Sequence, residues 1–275
     1  MKNRIIGKRD KFMWSRAELK DKAKINLKRY YWLAFAVCLV AGILSGVGTA
    51  GGRGNSGGYT NSIRNDFYSG EGVNVIGEKI SQEIIRILPT FLMFISLFMI
   101  IGILLLIFVS GPVEAGKKYF FLHSRENGNV PKFMNMFFNF GQGRYMNTVT
   151  VMFFRGLYTF LWSLLFIIPG IIKSYEYFMI PYIVAENPDI DKNRAFELSK
   201  YMTDGDKFNI FILQLSFIGW YFLGALLFGL GVFFVPPYVE ATMAELYAVK
   251  REEAIRSGFA NKAELSGFSD HMNYI

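Results

Sequence analysis

The chain has 275 residues, of which 52% are hydrophobic and 19% charged, with a mean hydropathy of +0.26; soluble domains run at roughly 45–50% apolar and 25% charged. The formal charge is +8, and residues 1–30 carry all of it, with eleven Lys/Arg against Asp10, Glu18 and Asp21. These values exclude a soluble enzyme and a disordered chain. Long uncharged runs, where barrel strands would alternate at period two, exclude an outer-membrane barrel.

In chain order, residues 1–30 read as a basic cytoplasmic arm. Its expected partner is anionic lipid headgroups and not nucleic acid, because the arm leads straight into a hydrophobic span. Ser15-Arg-Ala-Glu18 has the spacing of a capping box, with Trp14 and Leu19 placed as a hydrophobic staple. Leu19, Ala23, Leu27 and Tyr30 recur at helical spacing, which predicts an amphipathic helix over 15–29 on the inner membrane surface.

Four long apolar segments follow. Tyr30–Gly52, Ile87–Val113 and Phe208–Val239 carry no charge over 23, 27 and 32 residues, and Tyr145–Ile172 carries Arg155 alone within 28. About 20 apolar residues cross a bilayer core of ~30 Å as a helix. Span one is expected over 31–50, with Gly42, Gly46 and Ala50 as small residues on one face. The Gly/Ser/Asn-rich stretch 51–80 reads as an extracellular loop. Span two (87–110) is expected to stop at Gly111-Pro112, where proline has no N–H to give. The Lys117-Lys118 pair places 113–125 at the cytoplasmic edge. Phe133, Met136, Phe137 and Phe140 form an i, i+3, i+4, i+7 stripe, an interfacial helix.

Span three (146–168) ends at Pro169-Gly170. A short apolar segment, 171–185, then carries Lys173 and Glu176. Beyond Asn187-Pro188, residues 189–201 read as a polar helix with Ala195, Leu198 and Met202 on one side and Gly205 at C′. Span five (208–234) ends at Pro236-Pro237, and the short segment 238–249 contains Glu240 and Glu245. The expected fold is an all-α polytopic membrane bundle with six crossing segments, four long and two short. The membrane domain runs over 31–250 and a cytoplasmic tail over 251–275, with both termini in the cytoplasm.

The helix breaks repeat. Gly111-Pro112, Pro169-Gly170 and Pro236-Pro237 each close a long span and open a short helix with acidic residues near its start. Val113-Glu114-Ala115 matches Val239-Glu240-Ala241, and Arg125-Glu126 matches Arg251-Glu252, both at an offset of 126. Such repeats recur in transporters and also in passive scaffolds.

Further residues carry a resemblance. They are Ser15-Arg-Ala-Glu-Leu-Lys with Tyr31-Trp32, Pro169-Gly170-Ile171, Tyr175 and Tyr177, Ala185-Glu-Asn-Pro-Asp-Ile190, Leu198-Ser199-Lys200, Ser216-Phe-Ile-Gly-Trp220 and Pro237-Tyr238. In this order, over about 14–250, the chain resembles domain of unknown function family 975, multi-pass membrane proteins found mostly in Gram-positive bacteria. The resemblance implies a cytoplasmic-membrane protein and brings no assigned reaction and no catalytic residues.

Chemistry-bearing residues are few. Arg155 lies nine residues into span three, where a charge needs a partner or a wet cavity. Glu114, Glu176 and Glu240 are its candidate partners. With Lys173 they make a candidate midplane polar site; the alternative is a structural ion pair or a snorkelling arginine. Cys38 is the only cysteine, and the two histidines, His123 and His271, lie far apart, so neither a disulfide nor a metal centre is expected. Asp189, Asp191 and Asn193 open like a calcium loop, but Arg194 and Lys200 stand where Gly and Glu are needed. No phosphate-binding, dinucleotide or hydrolase motif is present, so neither an enzyme nor a cofactor is expected. Two readings of function remain. One is a small transporter or transporter-associated subunit, with an ATP-binding subunit among its partners. The other is a non-transporting scaffold, lipid-binding or immunity-type membrane protein. A water-accessible cavity reaching Arg155 separates them.

Overall fold

The structure, a computed structural model, describes residues 14–44, 72–127, 130–141, 143–226 and 230–266. They are all-helical, with no strand among them. Residues 1–13 of the arm, most of the 51–80 loop, Gly46 and Ala50 of the small-residue face, and residues 267–275 of the tail lie outside the described residues.

Helix α1 (Arg16–Leu27) starts as its sequence dictates: the Ser15 side chain accepts from the Glu18 N–H at 3.1 Å. Leu19, Ala23, Leu27 and Tyr30 are all buried, because the ridge packs on the last helix, α11 (Pro236–Arg256). The apolar face of α1 is therefore spent on protein, leaving its lysines and Ile25 at the surface. Helix α2 (Tyr31–Leu44) leaves α1 at 102° and buries Ala34, Val37 and Ala41. A Cβ at Gly42 would meet nothing within 4 Å among the described residues, so among them Gly42 marks no helix contact.

The Gly111-Pro112 break is not there. Helix α3 (Gly72–Leu105) begins inside the expected loop and passes through a π-helical turn (Leu106–Ser110) straight into α4 (Gly111–Asn127). Pro112 leaves the Phe108 carbonyl without its helical donor, and the Tyr145 hydroxyl donates to that carbonyl at 2.5 Å. Segment 113–125 belongs to the core: Val113, Ala115, Phe120, Phe121 and Leu122 are buried. A 3₁₀ helix (Phe133–Phe140) replaces the expected α-helical stripe, so period three buries Met136 and Asn139 and leaves Phe140 outside. It packs so tightly on α4 that a Cβ at Gly116 would sit 1.8 Å from the Met136 carbonyl oxygen.

Helix α5 (Tyr145–Leu165) ends at extended Phe166, and α6 (Ile167–Glu176) turns back along it. Pro169 thus stands in the first turn of α6, where its missing N–H costs nothing, and the break falls three residues earlier than expected. Gly170 lets the two backbones touch, since a Cβ there would lie 2.7 Å from Ser163 Cα. The expected segment 171–185 is split between α6 and α7 (Ile180–Glu186), and every residue of α7 is buried. Asp191 caps α8 (Lys192–Thr203), accepting from the Asn193 and Arg194 N–H groups, and Gly205 follows at φ +74°. Expected span five is likewise divided, into α9 (Lys207–Leu215), α10 (Ile218–Leu226) and a 3₁₀ turn (Leu230–Phe234) that folds back where Gly224 and Gly231 meet. Pro236 and Pro237 open α11, which runs beyond residue 250. The tail to 266 is docked: Arg194 bonds Glu264 at 2.7 Å and the Phe259 carbonyl at 2.6 Å.

Two regions result. A body of α1, α4, α7, α8, α11 and the first two turns of α5 holds the buried core and its ion pairs. From it project α2, α3, the α5–α6 hairpin and the α10 hairpin, whose outer residues are exposed and apolar, as at Leu164 (73%) and Ile167 (76%). By length and composition the helices able to cross a membrane are Ile85–Glu126, Tyr145–Leu165 and Lys207–Leu226, a fourth being the bent α1–α2 pair. Among the described residues that is three or four, and the six expected crossings are not confirmed: segment 238–249 lies within the largely buried α11, and 171–185 is shared between α6 of the hairpin and the buried α7.

Candidate functional site

Helices α4 and α11, the two that carry the repeated Val-Glu-Ala, run side by side and parallel. Lys117 and Lys118 reach Glu240 at 2.7 and 2.6 Å, Arg125 reaches Glu245 at 2.9 Å, and Glu126 meets Arg251 at 2.5 Å. Residue numbers rise together along both helices. Burial alone would raise the Glu240 carboxyl, but the two ammonium groups beside it hold it down at about 2.

The five sequence-predicted polar residues fall into two groups. Arg155 Nη1 donates to Glu114 Oε2 at 2.9 Å. Glu114 in turn lies one helical turn before Lys117 and Lys118, so Glu240 joins the same charged cluster through them. Glu176 and Lys173 lie elsewhere: Lys173 at 2.9 Å and Lys207 at 3.1 Å share the Glu176 carboxylate, tying α6 to the start of α9. Burial opposes ionisation there, and the two lysine hydrogen bonds outweigh it, lowering the Glu176 carboxyl. Among the helix-break residues, Gly111 and Gly170 are contact points for α5, at Met152 and Ser163, while Pro112, Pro169, Pro236 and Pro237 occupy first turns of helices.

Beside the Arg155–Glu114 pair lies a cavity of about 1060 Å³ between the end of α3, α4, α5 and α6. Ile103, Ile107, Met152, Phe153, Leu157 and Phe160 supply its apolar wall. Phe160 is 62% exposed and Ile103 51%, so the cavity opens sideways between the projecting helices. Its hydroxyls on α5 and α6 are turned inward on their own helices: Thr159 donates to the Arg155 carbonyl, Ser163 to Thr159 and Ser174 to Ile171. Arg155 and Glu114 are one-quarter and one-third exposed, which leaves the pair in contact with the cavity.

Lys117, Lys118 and Lys207 are the partners that sequence reasoning left out of the site. The i, i+4 spacing of Glu114 and Lys118 was a local signal for the first two. Lys207 had none, since it meets Glu176 across 31 residues.

The family described as protein of unknown function (DUF975) matches residues 164–253, the stretch from the α5–α6 turn to the last turns of α11. This is the family suggested by the residue order, and the match carries no activity with it. No curated protein and no solved structure matches the chain.

Proposed function

We propose that the protein is an integral membrane protein that takes a hydrophobic or amphiphilic molecule sideways from the bilayer into the cavity beside Arg155, and that it acts by binding and not by bond chemistry. One observation carries this reading: a largely apolar cavity of about 1060 Å³, open between lipid-facing helices, with one ion pair in its wall. Small-molecule sites measure roughly 300–1,000 Å³ and combine apolar walls with a few placed polar groups. A passive scaffold needs no such space. We place the body and the basic N-terminal arm on the cytoplasmic side of the cell membrane, with the arm against anionic headgroups.

Transport is the second reading. The parallel packing of the repeated helices α4 and α11 supports it, since transporters are often built from paired repeats with the substrate site between discontinuous helices. An ATP-binding subunit is the partner this reading calls for.

The test uses a neutral probe, a photoreactive sixteen-carbon alcohol, with the purified protein in phosphatidylcholine vesicles. A Cβ at Gly156 would meet nothing within 4 Å, so Gly156→Leu projects into the cavity and narrows it. Cross-links are expected at Met152, Phe153 and Phe160, falling several-fold in Gly156→Leu. Labelling spread evenly along α3 and the hairpin tips, and unchanged by Gly156→Leu, overturns the reading. Vesicle flux of the same probe, abolished by that substitution, would favour transport over binding alone.

A further inference from the structure

The charged cluster behind the cavity has a sign, although the two charged groups that line the cavity itself, Arg155 and Glu114, balance. Arg155, Glu114, Lys117, Lys118 and Glu240 form one cluster: two ion-paired groups joined along one face of α4, with Glu114 interacting electrostatically with both lysines. Three cations face two carboxylates, so the cluster holds one positive charge in excess. An uncompensated charge in low dielectric is costly, and a guest that brings one negative charge removes that cost.

The donors are placed for such a guest. Arg155 has five N–H donors in a planar fork, and among the described residues only Nη1 is engaged, on Glu114. The N–H groups left over from that bond can still take an oxyanion along the other edge of the guanidinium. The Ser110 side chain also lines the cavity.

The height of Arg155 in the molecule is the third observation. Met152 is buried, and from Phe153 onwards no residue of α5 is. Arg155 therefore stands where α5 leaves the charged body. Other elements mark the same level. Glu240 bonds the lysines one turn below Glu114, Tyr238 lies half a turn from Glu240, and Lys24 of α1 sits over the Tyr238 ring at 5.9 Å. Lys20 of α1 bonds Ser216, in the elbow where α9 passes into the exposed α10. Lys20 and Lys24 thus mark the charged edge of the body where the exposed apolar surface of α5 and α10 begins, and a side chain level with them meets phosphates and not the bilayer centre.

We propose that the cavity is a site for an anionic phospholipid of the surrounding bilayer, with its phosphate on the free face of the Arg155 guanidinium and one acyl chain against Ile103, Ile107, Phe153 and Phe160. This rests on the cavity reading above and adds the headgroup. It places Arg155 at the membrane surface and makes Glu114 the group that competes with the lipid for the arginine.

The test compares photoreactive phosphatidylglycerol with phosphatidylcholine bearing the same chains, each diluted into phosphatidylcholine vesicles. The wild-type protein is expected to take the anionic probe about fivefold over the zwitterionic one, the factor that one well-placed basic residue supplies. Glu114→Gln should raise that ratio by releasing the guanidinium, and Lys117→Gln should lower it by cancelling the excess charge. Arg155→Gln combined with Glu114→Gln removes the guanidinium while leaving the cluster one positive charge in excess, and should lower the ratio below the wild-type value while still taking the neutral alcohol. Equal labelling by both lipids in all four proteins overturns the headgroup assignment and leaves the cavity standing. Failure of the neutral alcohol to label the cavity removes both. Loss of anionic labelling on adding millimolar inorganic phosphate would make free phosphate the ligand and overturn the lipid source.

Discussion

Arg155 is the residue on which the most depends, and its partner could not be chosen from sequence. Glu114, Glu176 and Glu240 each follow a proline or glycine break, and spacing along the chain does not rank them. Folding does, because α4 lies against α5 while Glu176 turns to Lys173 and Lys207. A double-mutant cycle in detergent tests the pair. Arg155→Leu should lower thermal stability by stranding the Glu114 carboxylate, and pairing it with Glu114→Gln should recover part of the loss. We expect a coupling of about 0.5–3 kcal/mol for that pair, towards the lower end because both side chains keep some solvent contact. Combination with Glu176→Gln should be additive. Coupling to Glu176 instead would contradict the geometry.

At the scale of elements, the α4–α11 ladder makes the strongest demand on ionisation. The Glu240 carboxyl is held at about 2, below its unfolded value near 4.5, so its contribution to stability is complete above about pH 4.5 and is lost as pH falls towards 2. Integrated over that window, the contribution is roughly 3 kcal/mol. Thermal melting followed by circular dichroism at pH 7, 4 and 3 should show the midpoint dropping below pH 4.5. In Glu240→Gln the midpoint should already be low at pH 7, with a flatter acid limb. An unchanged acid limb in Glu240→Gln would mean that another carboxylate governs it. The elements also show where local chemistry was legible. The Ser15 cap, the α1 ridge, the polar helix expected over 189–201 and found as Lys192–Thr203 with Gly205 after it, and the proline start of α11 rest on contacts within a few residues or on simple periodicity. The 3₁₀ helix at 133–140 was misread because its apolar residues fit period 3.6 almost as well as period three, and the tight approach at Gly116 decided between them. Gly111-Pro112 failed as a break because the hydroxyl of Tyr145, from another helix, satisfies the carbonyl that proline leaves open.

For the whole molecule, the projecting length of α5 bears on how deep the α5–α6 hairpin goes. The exposed part of α5, from Phe153 to Leu165, is about 20 Å long, whereas a bilayer core is ~30 Å thick. With the body at the headgroup level, the α5–α6 hairpin is expected to enter and return on the same side. A spin label at Phe166→Cys, in a chain with Cys38→Ala, should be accessible to oxygen and shielded from a water-soluble nickel complex. A membrane-impermeant maleimide added outside should leave that cysteine unmodified. Full modification from outside would show that α5 crosses.

Composition, charge placement and uncharged run length determined by themselves that this chain is helical and apolar enough to span a membrane, since the cost of burying charge or open backbone in lipid depends on local sequence alone. The order of short motifs was enough to indicate the family. What only the tertiary structure decided was which apolar segments serve the body and which the exterior. The buried helix α7 and the exposed length of α3 are both apolar, and what packs against each decides which is covered. The same holds for the charges: whether Arg155, Lys117 or Lys207 stands alone or in a cluster depends on helices 31 to 123 residues apart meeting side by side, and no periodicity within one helix carries that information.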